Sequence, residues 1–127
     1  MLTSNFELGD DGLQDCNDYI GMHLEWNADR TSVLITQPSK IQELLAESNL
    51  LNCKPMFTTG VPKTLVSERD CPPENDIAQR KLMATKPYRR RLGQLLWISR
   101  SSRPDIAYQV NALARVAHNP GIKHWQE

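Results

Sequence analysis

Strict alternation of apolar and polar side chains from Tyr19 to Trp26 puts Ile20, Met22, Leu24 and Trp26 on one side of the chain, the period of a half-buried strand. Asn27-Ala28-Asp29-Arg30 supplies turn residues, and Ser32-Val33-Leu34-Ile35-Thr36 supplies a second, β-branched strand. Residues 19–36 are therefore predicted to form a β-hairpin. A lone hairpin is marginal in water, so this one needs a sheet or helices to lie on. Ahead of it, residues 1–18 are polar and turn-rich around Gly9-Asp10-Asp11-Gly12 and are predicted to be irregular.

The period then changes to that of a helix. Pro38 and Ser39 open a helical segment within residues 37–52, where Ile41, Leu44 and Leu45 recur at i, i+3 and i+4 and Asn49 marks the stop. Residues 53–86 read as a loop and a weak helix. Pro55, Gly60, Pro62, Pro72 and Pro73 describe the loop, whose length is uncommon in compact domains, so it either wraps a surface or is disordered. The stretch 74–84 is the weakly amphipathic helix.

Residues 87–127 carry the clearest helical stripes. Pro87 suits a first helical turn, where its missing N–H has no partner to lose. Tyr88, Leu92, Leu95, Leu96 and Ser99 fall on one face, with Arg89, Gly93, Gln94 and Arg100 elsewhere. Arg91 is the misfit at the edge of the stripe, and its stem has to snorkel. Pro104 begins another helix, with Asp105 complementing the dipole and Ile106, Val110, Leu113 and Ala117 as its core stripe. Asn119-Pro120-Gly121 breaks it before Ile122 starts the last. The predicted fold is α+β, an N-terminal hairpin followed by about four helices, with residues 1–127 forming one partial domain. The chain ends where a helix has barely begun, which reads as a truncation.

The chain has 127 residues, and 39% hydrophobic content suits one domain with a modest core. A formal net charge of zero hides a split. Up to residue 52, Glu7, Asp10, Asp11, Asp15, Asp18, Glu25, Asp29, Glu43 and Glu47 face only Arg30 and Lys40. From residue 81 onward, Lys81, Lys86, Arg89, Arg90, Arg91, Arg100, Arg103, Arg115 and Lys123 face only Asp105 and Glu127. A basic block on packed helices suits a nucleic-acid backbone, where it releases counterions. The alternative is that the two halves attract each other within the fold.

Cys16, Cys53 and Cys71 are odd in number and unrelated in spacing, which fits neither a disulfide framework nor a zinc site and points to a reducing, cytoplasmic setting. No apolar run approaches the roughly 20 residues that span a bilayer, and the start lacks a basic n-region, so no membrane partner is expected. His23, His118 and His124 are far apart, and no phosphate loop or nucleophile elbow occurs. His118, near a helix end, serves the dipole, and core packing is the commoner fate for Trp26, Trp97 and Trp125.

Taken in order, Phe6-Glu7-Leu8-Gly9-Asp10-Asp11-Gly12 and Tyr19-Ile20-Gly21-Met22-His23-Leu24-Glu25 look like successive segments of one family, Gln37, Ile41, Leu44, Leu45 and Cys53-Lys54-Pro55 keep the register of its next helix and exit, and Pro87-Tyr88-Arg89, Leu92-Gly93, Leu95-Leu96, Arg103-Pro104-Asp105-Ile106-Ala107-Tyr108, Asn119-Pro120 and His124-Trp125 match it in sequence and spacing. The chain resembles the C-terminal part of the copia-type retrotransposon reverse transcriptase domain, least so over residues 56–86. That resemblance implies a fragment of an RNA-directed DNA polymerase, with palm and fingers upstream and a ribonuclease H region downstream in a polyprotein. Tyr19, Ile20, Gly21 and Met22 would lie in the primer grip against the primer backbone. Arg89, Arg90, Arg100 and Arg103, in the thumb, would touch phosphates of a template–primer duplex without reading bases. Plain strand core for Ile20 and Met22, and a solvated helix face for the arginines, are the structural alternatives.

Polymerisation in that family needs carboxylates that hold two magnesium ions. Asp10-Asp11 lacks the aromatic-x dipeptide before it and the apolar strand around it, and by family register it follows the catalytic hairpin, so it is expected to serve a turn. No catalytic residue, metal site or cofactor is expected in this chain, and no polymerase activity from it alone. The chain also departs from the pattern. Leucine is usual at the position of Arg91 and an uncharged residue at that of Arg90, threonine-proline normally follows Cys53-Lys54-Pro55, two extra residues separate Gly12 from Ile20-Gly21, and threonine would cap better than Gly121. These departures read as drift in an unselected copy. Two other classes remain beside this reading: a small helical module whose acidic half docks on a basic protein, and a non-functional remnant.

Overall fold

In a computed structural model, which describes residues 17–59 and 66–126, the chain divides into two compact units, Met1–Thr36 and Gln37–Glu127. Asp10-Asp11 and Cys16 lie outside the described residues.

In the first unit the predicted hairpin gains a third strand. Ile20 and Gly21 have φ of 49° and 77°, which turns the chain back on itself between β1 (Asp18–Tyr19) and β2 (Met22–Trp26). β3 (Val33–Thr36) follows, and the antiparallel order is β1-β2-β3. Tyr19 pairs with Met22 across a two-residue connection whose positive φ values are those of a type I′ turn, the geometry that matches strand twist. The expectation of one continuous strand over residues 19–26 is thus corrected. Ile20 is no strand-core residue but the 64% exposed tip of a tight turn. Alternation concealed the turn because Gly21 occupies a polar slot in the pattern.

A β-branched residue in the left-handed region costs roughly 1–2 kcal/mol. Ile20→Asn is accordingly expected to stabilise this hairpin by about 1 kcal/mol in denaturant titration, and an unchanged midpoint would argue against strain at the tip.

The register sorts the sheet into two faces. Tyr19, Met22, Leu24, Trp26, Val33 and Ile35 share one, through the pairs Tyr19↔Met22, Leu24↔Ile35 and Trp26↔Val33. Asp18, His23, Glu25, Leu34 and Thr36 share the other. Tyr19, Trp26, Val33 and Ile35 are nevertheless exposed. The β2–β3 turn is held by Asn27, whose amide N–H donates to the Ser32 carbonyl and whose side-chain carbonyl accepts from the Ser32 N–H at 3.0 Å.

The second unit comprises α1 (Pro38–Glu47), α2 (Ile77–Ala84), α3 (Tyr88–Ser101), α4 (Ala107–Arg115) and α5 (Ile122–Gln126), with 3-10 turns at Glu68–Asp70 and Pro104–Ile106. Each end has a chemical reason. α1 stops at Asn49, in the left-handed region at φ 58°, where the N–H groups of Asn49 and Leu50 reach back to the Ala46 and Leu45 carbonyls in a Schellman pattern. Asp76 caps α2 by accepting from the Gln79 N–H. Ser67 and Asp70 form a reciprocal capping box around the first 3-10 turn, which interrupts the predicted loop.

The core of this unit is the predicted α3 stripe packed on the α4 stripe. Met83, Tyr88, Leu92 and Val110 are buried, with Leu95, Leu96, Ile106, Leu113 and Ala117 against them. The Tyr88 hydroxyl donates to the Leu113 carbonyl at 3.0 Å. Gln37, 1% exposed, accepts from the Ser102 hydroxyl, while its amide nitrogen has no partner among the described residues.

α5 is tied to the first 3-10 turn by His124, 2% exposed. Its Nδ1 accepts from the Gly121 N–H at 2.9 Å, which leaves Nε2 as the protonated nitrogen donating to the Ser67 carbonyl at 3.0 Å. A Cβ on Gly121 would lie 2.4 Å from the Asp70 carbonyl oxygen. The expectation that threonine would serve better there is therefore corrected: no side chain fits.

Several ionisable groups tie this packing to pH. A Lys123 hydrogen bond holds the Asp70 carboxyl below its ordinary range, the Gln79 N–H does the same for Asp76, and burial pushes the Tyr88 hydroxyl up to about 12. The carboxylates' contribution is complete above the ordinary value near 4 and is lost as pH falls through their lowered values; that of Tyr88 is complete below about 10 and lost as pH rises towards 12. Thermal melts are expected to show a plateau from about pH 5 to 9 with a fall on both sides, and a melting point still rising from pH 9 to 11 would contradict the Tyr88 assignment.

Candidate nucleic-acid interface

α3 turns its apolar stripe inward, so the residues opposite that stripe reach the surface. At about 100° per residue Arg89, Arg100, Gly93, Trp97 and Arg90 fall within an arc of about 100°. All of them are exposed, Trp97 at 39%. Gly93 has nothing within 4 Å of where a Cβ would stand, so the helix shows bare backbone between two arginines and an indole. A glycine in a helix interior loses up to about 1 kcal/mol against alanine, and here packing does not require it.

The predicted arginines differ in what already holds them. Arg89 donates from Nε to the Ala117 carbonyl at 3.2 Å, and Arg100 makes no ion pair among the described residues. Arg90 reaches Glu47 Oε1 at 2.5 Å. Arg103 lies beyond the end of α3 in a bidentate pair with Asp105, at 2.9 and 2.7 Å, and its hydrogen bonds hold the Asp105 carboxyl below the ordinary range. Arg89, Arg90 and Arg100 thus share one helix face, while Tyr19, Ile20, Gly21 and Met22 sit at the β1–β2 turn of the other unit.

Arg91, the misfit of the stripe, is explained by α1. Its guanidinium pairs with the Glu47 carboxylate and donates to the Glu47 carbonyl at 2.6 Å, and its side chain is only 16% exposed. Burial pushes the Glu47 carboxyl up, but the Gln94 hydrogen bond and the Arg90 and Arg91 charges outweigh this and leave it below its ordinary range. Arg90 and Arg91 therefore work as a clamp on Glu47 rather than standing as unexplained charges. Part of the charge split is also spent inside the second unit, through Glu47 with these arginines, and Lys123 of the basic block is taken by Asp70 from the stretch between the two halves.

Sequence reasoning put Gly93 off the apolar stripe with Arg89 and Arg100 but gave Trp97 to core packing, which its 39% exposure corrects; its spacing of four residues from Gly93 was the available signal. Among the described residues no group of three or more His, Cys, Asp or Glu is placed to hold a metal ion, and no helix is long and apolar enough to cross a membrane.

Retrotransposon polyproteins are similar to this chain. A retrovirus-related Pol polyprotein from transposon TNT 1-94 of Nicotiana tabacum is 28% identical over 98% of the chain, and one from transposon RE1 of Arabidopsis thaliana is 31% identical over 76% of it. A putative transposon Ty5-1 protein of Saccharomyces cerevisiae is 29% identical over 97% of the chain. The chain spans only 9%, 6% and 36% of those relatives' lengths. No family model and no solved structure matches. These similarities give the chain a retrotransposon origin and relate it to a piece of a Pol polyprotein.

Proposed function

We propose that this chain is the template–primer positioning part of a copia-type reverse transcriptase, with the second unit as thumb and the β1–β2 turn as primer grip. The observation that carries the reading is the exposed face of α3. Arginines at both ends supply phosphate contacts, the bare backbone at Gly93 admits a sugar-phosphate strand, and Trp97 offers a flat apolar surface beside it. Strain at the Ile20-Gly21 tip supports the same view, since sparsely populated backbone conformations persist where function needs them. The exposed apolar face of the sheet suits a hairpin built to rest on an upstream palm.

In this role the residues position and do not react. Arg89, Arg100 and, less freely, Arg90 and Arg103 neutralise phosphates, so affinity is weak, independent of base sequence and steeply dependent on salt. Polymerisation belongs to the upstream palm with its magnesium ions, and the chain by itself extends no primer.

A fluorescence-anisotropy titration against a template–primer duplex tests this. The paired substitution Arg89→Glu and Arg100→Glu is expected to weaken binding at least about tenfold at low salt and to flatten the salt slope by roughly one for each phosphate left without its arginine. Gly93→Leu fills the open strip and is expected to weaken binding while leaving the fold at least as stable. Wild-type affinity in both variants, or no salt-sensitive binding at all, would remove the proposal.

A further inference from the structure

The second unit holds a cavity of about 470 Å³ where the end of α2, the start of α3 and the turn between α4 and α5 meet. Arg80, Lys86, Arg89, Arg90 and His118 line it, and among the described residues no carboxylate does. Of the acids around it, Asp76 lies one helical turn before Arg80, Glu47 already holds Arg90, and Asp70 is paired with Lys123. Lys86 and Arg89 are left with no anionic partner among the described residues: Lys86 stands 5.7 Å from the Trp125 ring, and Arg89 uses only Nε, towards a carbonyl. Met83, Pro87 and Tyr88 give the cavity an apolar wall. Cations gathered over such a wall suit an anion that carries an organic body, and the volume falls in the range of small-molecule sites, roughly 300–1,000 Å³. The start of α3 adds to the field, because Pro87 caps the helix without a side-chain hydrogen bond.

We propose that this cavity is a binding site for a phosphate-bearing small anion, its phosphates paired with Lys86, Arg89 and Arg80 and its body lying on the Met83–Pro87–Tyr88 wall. The site is separate from duplex contact along the α3 face and shares only the arginines at the start of that helix. The same chemistry has two sources, a free nucleoside triphosphate and the 5′-phosphate end of a strand.

Isothermal titration of the 127-residue chain with tripolyphosphate, at fixed ionic strength, is the direct test. One saturable site is expected, weakened at least about tenfold by Arg80→Glu and by Lys86→Glu and little changed by Arg115→Glu, which alters net charge equally at a position outside the cavity. Arg80 is exposed, so its variant should fold even if the loss of Lys86 disturbs Trp125. Non-saturating uptake, or equal weakening by Arg115→Glu, overturns the site. Displacement of the probe by a nucleoside triphosphate, or by a 5′-phosphorylated but not a 5′-hydroxyl oligonucleotide, supports it and names the source; displacement by neither overturns it. Duplex affinity that survives Arg80→Glu while tripolyphosphate binding is abolished separates this site from the α3 interface.

Discussion

Gly121→Ala is expected to lower the unfolding free energy by about 2–3 kcal/mol, because overpacking against backbone cannot be relieved by a rotamer change. The new Cβ would stand 2.4 Å from the Asp70 carbonyl oxygen and 3.0 Å from the Gln79 side chain. Moving apart would stretch the Gly121–His124 hydrogen bond and then the His124–Ser67 bond that ties α5 to the capping box. Urea denaturation measures the effect. Gly93→Ala is the internal control: the same chemical change on α3 meets open space and is expected to raise stability by up to about 1 kcal/mol. If the two variants moved the midpoint in the same direction, the packing assigned to Gly121 would be wrong.

The second large effect belongs to the Glu47 clamp. Removing one partner of this part-buried pair leaves the other charge uncompensated, whereas replacing both by apolar groups is often neutral. Arg91→Leu and Glu47→Ala are each expected to lower the urea midpoint clearly, and the double variant to recover most of that loss. Arg91 is the more informative partner, since it is mostly buried and also donates to the Glu47 carbonyl. Strictly additive losses in the double-mutant cycle would mean that the two side chains act independently. Recovery would show that the unusual cation on α3 has a compensating acid on α1, and would count against drift as its explanation.

Much of the architecture could be read from periodicity. The α+β order, the Tyr88-Leu92-Ser99 stripe and the Val110 stripe follow from which side chains avoid water, a property of local spacing, and the α1 stop from an asparagine that tolerates the left-handed region. The Ile20-Gly21 turn could not be read this way, because strand alternation and a two-residue turn put the same letters in the same order. Only backbone dihedrals distinguish them. Arg91 and Gly121 were misjudged for a related reason: each is odd within its own helix or turn and sensible only beside Glu47 or Asp70, residues 44 and 51 positions away in the chain.

For the candidate interface the division is similar. The chain's residue order alone determined that Arg89, Arg90 and Arg100 share a helix with an apolar stripe, and hence that they face outward. Tertiary structure decided which of them remain available, since the distant Glu47 takes Arg90 while Arg100 has no ion pair among the described residues; Arg103 is taken locally, by Asp105 two residues on. It also decided that Arg80, Lys86, Arg89 and His118 meet around one cavity. The physical reason is range: helical and strand periods arise from contacts a few residues apart, whereas partner choice and cavity lining depend on which distant segments the core brings together.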